Sequence, residues 1–137
     1  MKLVVIESPY AGEIGANVEY ARKCAANAFK RGEAPYLSHL LYTQPGILDD
    51  LIPEERALGI QAGLEWARHA DLVAVYIDRG VSRGMQLGIT AHVRAGRPIV
   101  CRTLAIGDLP PEQYLCFCRA SMQSQCPLHP PALVEGP

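Results

Sequence analysis

The chain has 137 residues, a formal net charge of −1, 49% hydrophobic residues and 20% charged residues. This length is typical of one domain with a single core. The near-neutral charge argues against a nucleic-acid partner, which would require a basic face. No apolar run approaches the roughly 18 residues that span a bilayer, and the apolar start is too short for a signal peptide, so we expect no membrane partner and a cytoplasmic protein.

Strands and helices alternate over the first 102 residues. The hydrophobic pattern predicts strands over 2–6, 34–41, 71–77 and 97–102, and helices over 16–31, 53–69 and 83–95. Such alternation is typical of right-handed βαβ units around a parallel sheet. We therefore expect an α/β, flavodoxin- or Rossmann-like three-layer domain over residues 1–108, with a short parallel sheet of four to five strands.

One helix is predicted in more detail. The helix over 53–69 opens on a proline, which suits a first helical turn. Its apolar residues recur at helical spacing and predict a buried stripe formed by Ala57, Ile60, Leu64 and Ala67.

The last 29 residues differ in character, and we expect a C-terminal helix followed by a Pro/Cys-rich tail over 109–137. Cys116, Cys118, Cys126 and His129 together form a complete ligand set for tetrahedral zinc. The seven-residue gap between the two halves of this set is unusual, however, and thiols that act as small apolar groups fit better. We therefore expect no metal and no cofactor.

Three loops follow predicted strands, over 8–15, 39–50 and 78–84. All three are rich in polar and small residues, whereas the connections at the other ends of the strands are simple. Ligands of open parallel sheets bind beyond the carboxyl ends of the strands, where the strand order reverses. The site is therefore expected in these loops.

Two glycine-containing segments precede helices. Gly12 and Gly15 lie ahead of the first helix, whose N-terminus would favour an anion, but neither the full dinucleotide fingerprint nor a P-loop lysine is present. Gly80 and Gly84 flank Ser82, which is positioned to cap the third helix. These glycines would also let a ligand approach the backbone closely.

The order and spacing of five motifs resemble a known superfamily. They are Ser8–Gly12, Asn17, His39–Gln44, Asp71–Tyr76 and Gly80–Met85. Together they are similar to the nucleoside 2-deoxyribosyltransferase-like superfamily, and most closely to a branch common in phage and bacterial genomes. The resemblance covers roughly residues 3 to 102.

The resemblance implies that the loops after the first and third strands enclose a nucleoside or nucleotide. It also implies that a glutamate in the following helix attacks the sugar and that an aspartate helps to activate the base. The setting of that glutamate falls on Gly84–Gly88, which places Gln86 at the nucleophile position. An amide cannot form the glycosyl ester that a carboxylate forms, so we expect binding with impaired catalysis.

The candidate site is thus defined residue by residue. The catalytic positions are Asp78 and Gln86. The predicted ligand-binding residues are Ser8, Tyr10, Gly12, Asn17, His39, Tyr42, Gly80, Ser82, Gly84 and Met85.

Two other functions remain open at this stage. One is an N-glycosidic enzyme, a nucleoside or nucleotide hydrolase or a deoxyribosyltransferase, that uses Asp78, Glu13 or Asp50 in place of the missing glutamate. The other is a phage-type protein that sequesters a nucleotide immune signal. The expected partners are a small-molecule nucleoside or nucleotide and further copies of the chain in a homo-oligomer, with Trp66 either packed or at a subunit contact.

Overall fold

The structure is a computed structural model that describes residues 1–115. It contains four strands, β1 (Lys2–Glu7), β2 (Glu33–Tyr36), β3 (Leu72–Tyr76) and β4 (Ile99–Arg102). Its α-helices are α1 (Ile14–Lys30), the single turn α2 (Ser38–Leu41), α3 (Pro53–Ala67) and α4 (Arg83–Arg94), and a 3₁₀ turn follows at Pro111–Gln113.

The four strands form one all-parallel sheet in the order β2-β1-β3-β4. β1 is central and pairs with both β2 and β3, so the strand order reverses between β1 and β3. Helix α1 covers one face of the sheet, and α3 and α4 cover the other. The predicted α/β fold with a short parallel sheet is confirmed.

Alternation along β1 divides the core into two layers. Val4 and Ile6 pack with the residues of α1, whereas Val5 packs with α4 residues such as Met85 and Ile89. Side chains two residues apart lie on the same face of a strand, so Glu7 follows Val5 onto the α3/α4 face. The strand that anchors the core thereby also delivers a carboxylate to its carboxyl end.

The second strand is shorter than its sequence predicts. β2 ends at Tyr36, and residues 38–41, predicted as strand, form the helical turn α2. Among residues 1–115, β2 is an edge strand that pairs with β1 alone, and its last registered pair is Val5 with Tyr36. Beyond that pair, residues 38–41 have no partner strand in this part of the chain and form a helical turn.

The predicted buried stripe of α3 is also largely wrong. Ala67 is buried, Leu64 is half-buried, and Ala57 and Ile60 are exposed. Helix α3 packs against the core of the sheet with its last turn, at Ala67. Arg56 and Ile60, in its earlier turns, line a cavity instead.

The C-terminal segment is described only in part. Leu109 bridges Cys101 in antiparallel orientation, and the 3₁₀ turn begins the segment predicted as a helix. The remainder of that helix, the tail and the candidate zinc ligands lie outside the described residues, so the division at residue 108 stays a prediction. Within residues 1–115, no helix is both long and apolar enough to cross a membrane.

Candidate functional site

Two hollows that share the lining residue Asp50 lie at the carboxyl ends of β1 and β2. The inner cavity, of about 80 Å³, lies between the end of β1, α2, α3 and α4, and Glu7, His39, Asp50, Arg56 and His92 are among its lining residues. The outer groove, of about 710 Å³, lies between the loops that follow β1 and β2.

Glu7 is the carboxylate at the base of the inner cavity. Its side chain is 19% exposed, and its Oε1 lies 2.8 Å from His92 Nε2. Gly88 of α4 makes room for it, because a Cβ at that position would lie 2.8 Å from Oε1 and 3.1 Å from Oε2. The missing side chain on α4 therefore allows Glu7 to occupy this place.

His92 fixes the orientation of Glu7. The imidazole is 1% exposed, and its Nδ1 lies 3.0 Å from an amino nitrogen of Arg97. A guanidinium can only donate hydrogen bonds, so Nδ1 accepts and the ring proton is on Nε2, from which it is donated to Glu7. Arg97, His92 and Glu7 thus form a chain of hydrogen bonds that ends at the cavity.

His39 and Tyr10 form an aromatic pair beside the two hollows. Their rings stack with centroids 4.8 Å apart and an angle of 12° between planes. Burial, the largest cause, lowers the pKa of His39, and Arg56 lowers it further, whereas the charges of Glu7 and Asp50 act in the opposite direction. The ring is therefore neutral near pH 7 and acts as a hydrogen-bonding group.

Asp50 and Arg56 form the opposite wall. The Arg56 Nε lies 3.9 Å from Asp50 Oδ1, and the two side chains are 43% and 23% exposed, respectively. Both line the inner cavity. This partly exposed pair offers both an acceptor and a donor to a polar ligand.

The loops after β1 and β3 are joined to each other directly. Asn17 is 4% exposed, donates to the carbonyls of Tyr10 and Ala11, and accepts a hydrogen bond from Arg79 Nε at 2.9 Å. Arg79 also pairs with Glu13 at 3.0 Å. Neither the inner cavity nor the outer groove is lined by residues of both loops. Neither hollow therefore coincides with the ligand position between these loops that the resemblance implies.

Asp78 makes contacts that fix the fold. Its Oδ2 accepts a hydrogen bond from Tyr20 at 2.6 Å, and both carboxylate oxygens accept from the backbone N–H of Leu104. It therefore connects α1, β3 and the segment after β4. Glu13 is an exposed carboxylate beside Arg79, so of the three predicted substitutes only Asp50 lines the inner cavity.

The start of α4 is capped as predicted. The Ser82 hydroxyl accepts from the Met85 N–H at 3.2 Å, and the Met85 sulfur accepts from the Ser82 N–H at 3.4 Å. Met85 is 2% exposed and packs in the core, and its contact with a ligand stays a prediction. Gln86 donates a hydrogen bond to Thr90 at 3.3 Å and lines neither the inner cavity nor the outer groove.

The remaining predicted residues are distributed around the site. Gly84 lines the inner cavity and Gly12, with φ +96°, lines the outer groove. Gly80, with φ +80°, occupies an exposed turn, and Ser8 is 3% exposed.

Tyr42 lies in a third, smaller hollow of about 30 Å³ next to the inner cavity. It accepts a hydrogen bond from the indole of Trp66 at 2.9 Å.

Sequence reasoning missed Glu7, Arg56 and His92. Glu7 could have been found, because it ends a buried strand on the same face as Val5, at the edge where ligands bind. His92 continues the stripe of Met85 and Ile89, which predicts burial but not its partner. A contact across 85 residues requires the fold.

The fold has counterparts among solved α/β structures. A solved 2-deoxyribosyltransferase from Bacillus psychrosaccharolyticus superposes with a TM-score of 0.59 at 17% identity, over 81% of this chain and 78% of that one. A conserved protein from Enterococcus faecalis V583 gives a TM-score of 0.52 at 20% identity, over 74% of this chain and 62% of that one. These similarities establish the fold.

The family follows from the sequence. Residues 2–102 match the model of the family described as Domain of unknown function (DUF7768), and the chain belongs to that family. No curated protein matches this sequence significantly.

Proposed function

We propose that this protein binds a nucleoside or nucleotide-type small molecule at the carboxyl ends of its parallel strands. The observation that carries the proposal is that Asp50 lines both the inner cavity, where Glu7 and Arg56 lie, and the large outer groove. The groove volume of about 710 Å³ lies within the usual range for small-molecule sites. The 2-deoxyribosyltransferase fold supports a nucleoside as the ligand class.

The chemistry of the two hollows suits a sugar joined to a base. Asp50 can accept hydrogen bonds from sugar hydroxyls, and Arg56 can donate to them. Tyr10 lines the outer groove, where its stacking on His39 holds the ring in place for a base. The sugar would therefore lie near Asp50, with the base against Tyr10.

Base exchange between deoxynucleosides is not expected. The position that corresponds to the superfamily nucleophile carries the amide of Gln86, which cannot form a glycosyl ester. Incubating the protein with a deoxynucleoside and a second free base, followed by chromatography, should yield no exchanged nucleoside. Exchange that persists at a normal enzymatic rate in Gln86→Ala would show that residue 86 is not the nucleophile position.

Calorimetric titration with nucleosides, nucleoside phosphates and cyclic nucleotides tests the binding proposal. A protein selected to hold its ligand should bind one of them with a dissociation constant near micromolar or below, about −8 kcal/mol. Tight binding confined to a cyclic nucleotide would favour the alternative of a sequestered phage-type signal. If no member of the panel binds more tightly than millimolar, the proposal is wrong and the similarity is one of fold alone.

Self-association is a further part of the proposal. Trp66 and Leu58, two large apolar side chains of α3, are 57% and 56% exposed and are available for a contact between copies of the chain. We expect a homo-oligomer in light scattering, and a shift towards monomer when both residues are replaced by serine.

A further inference from the structure

We infer that Glu7 is a catalytic carboxylate, the general base for hydrolysis of the N-glycosidic bond of the bound nucleoside or nucleotide. This inference rests on the proposed function, because it requires that ligand in the two hollows. It concerns a residue on β1, on a different element from the nucleophile position at Gln86. Four observations carry it.

The first observation is position. Glu7 ends the central strand of the sheet, next to the point where the strand order reverses. Its side chain faces the inner cavity and is 19% exposed, so a small molecule can reach it. Glu33 and Asp78, which stabilise the fold, each use both carboxylate oxygens as hydrogen-bond acceptors. Glu33 pairs with Arg102 through two bonds of 2.7 Å.

The second observation is orientation. His92 donates its Nε2 proton to Oε1 of Glu7, and Arg97 fixes the tautomer from the far side of the ring. Among residues 1–115, His92 is the side chain with a described hydrogen bond to Glu7. The hydrogen bond from His92 therefore holds the carboxylate at Oε1, in a residue that lines the cavity.

The third observation is the space itself. The inner cavity of about 80 Å³ exceeds several-fold the roughly 10–15 Å³ that one water requires, yet it is far smaller than a usual pocket for a whole ligand. Water can thus lie against Glu7 while the nucleoside occupies the groove. The anomeric carbon would then lie near Asp50, which lines both hollows.

The fourth observation is the glycine on α4 that leaves space for the Glu7 carboxylate. Gly88 lacks the Cβ that would lie 2.8 Å from Oε1, so a side chain at this position would have to displace the carboxylate from its present place. Gly63 on the facing helix α3 has no such constraint, since its Cβ would meet Ser38 at an ordinary 3.6 Å. The glycine at position 88 thus leaves room for the carboxylate as it is oriented here.

The reaction balances without any further reagent. Glu7 takes a proton from water while the water oxygen bonds to the anomeric carbon. The bond between that carbon and the base nitrogen breaks, and its electron pair goes to the nitrogen. The nitrogen receives the proton from Glu7, directly or through water, so that one water is added across the bond and Glu7 is regenerated.

Glu7→Gln is the primary test, because glutamine keeps the shape and can still accept from His92. The ligand found by calorimetry is incubated with each protein, and the released base is measured by chromatography. Wild type should release base, and Glu7→Gln should lose at least about 100-fold in kcat while KM and the calorimetric affinity change by less than about 3-fold. Glu19→Gln, which removes an exposed carboxylate on α1, should behave as wild type.

Two further variants keep the inference testable if that variant misfolds. Gly88→Ala should displace the carboxylate and reduce kcat, whereas Gly63→Ala adds the same methyl group and should reduce it far less. His92→Gln, which retains an N–H donor for Glu7, should preserve more turnover than His92→Phe, because His92 is a positioning residue.

The outcomes separate the two proposals. Wild-type binding without base release, or release that survives in Glu7→Gln, overturns the role of Glu7 and leaves the binding proposal intact. Absence of any binding in the panel overturns the binding proposal and the role of Glu7 with it.

Discussion

The two faces of the sheet are built differently. On the face covered by α1, the polar groups of the large buried side chains are paired, as in the bonds of Tyr20 to Asp78 and of Tyr76 to Asn27. On the other face, α3 packs against the core only near Ala67, and a charged cavity lies beneath its first turns. A hydrophobic core layer lies on each face of the sheet, and the candidate site lies on the face covered by α3 and α4.

The chemistry of the α1 face agrees with this placement of the site. Burial is the largest cause that raises the pKa of Cys24 to about 12, so its thiol stays protonated and unreactive. Burial likewise raises the pKa of Tyr20. Both groups therefore contribute packing and hydrogen bonds rather than reactivity.

The largest effect on stability is expected at the buried ion pair. Arg102 and Glu33 are 1% and 9% exposed at their side chains. Glu33→Ala leaves the guanidinium buried with weaker partners, Asp108 and Tyr76. We expect a loss of about 3–5 kcal/mol in the free energy of unfolding, measured in urea. An equal loss of stability in Glu19→Gln, which removes a carboxylate from an exposed ion pair, would contradict the importance of the buried pair.

A smaller effect, on affinity, is expected at Tyr10. Tyr10→Ala should weaken nucleoside binding by about 1–3 kcal/mol, because base stacking on an aromatic ring contributes that much. Calorimetry measures this, with Phe29→Ala as the aromatic control on the α1 face, where the ring is 61% exposed. Equal losses of affinity in Tyr10→Ala and Phe29→Ala would show that the α1 face matters as much for binding as the candidate site.

Ser82 should affect stability and not affinity. Ser82→Ala removes the side-chain acceptor for the Met85 N–H and should cost about 1 kcal/mol in unfolding free energy. Ser82→Thr keeps a hydroxyl and should therefore retain most of the stability that Ser82→Ala loses. If the alanine variant instead loses ligand affinity at unchanged stability, the hydroxyl contacts the ligand.

The smallest effect is a pH dependence from His39. Its pKa is lowered in the fold, chiefly by burial, so on acidification the unfolded chain takes up this proton first. The contribution of the neutral ring is fully present above about pH 6.5 and is lost as the pH falls below that value. Urea unfolding at about pH 7.5 and 5.5 should show a smaller drop in stability for His39→Gln than for wild type. Equal drops would contradict a neutral, buried His39.

The fold was predictable because its signals are local. Alternating buried strands and amphipathic helices mark the βαβ units, and a Gly after α1, Gly32 with φ +75°, ends that helix as its sequence position indicates. The errors arose where tertiary contacts decide. Within the described part of the chain, residues 38–41 lack a partner strand, and Ile60 lines a cavity instead of packing in the core.

The site was predictable as a region and less so by residue. Asp50, His39 and Tyr10 line the two hollows, and all three were chosen from strand-end loops. Glu7 was missed because its role depends on His92 and on the missing side chain at Gly88, both distant in sequence. Asp78 was chosen for its charge, and Tyr20 and Leu104, its partners, became apparent only in the structure.

A nitrogen-15 NMR titration with the tightest-binding member of the nucleoside panel tests the central claim most directly. We predict backbone shift changes at residues around the two hollows, such as Tyr10, Asp50 and Gly88, with residues such as Cys24 and Ala28 on the α1 face unchanged. Changes confined to the α1 face, or no change at millimolar ligand, would contradict the proposed site.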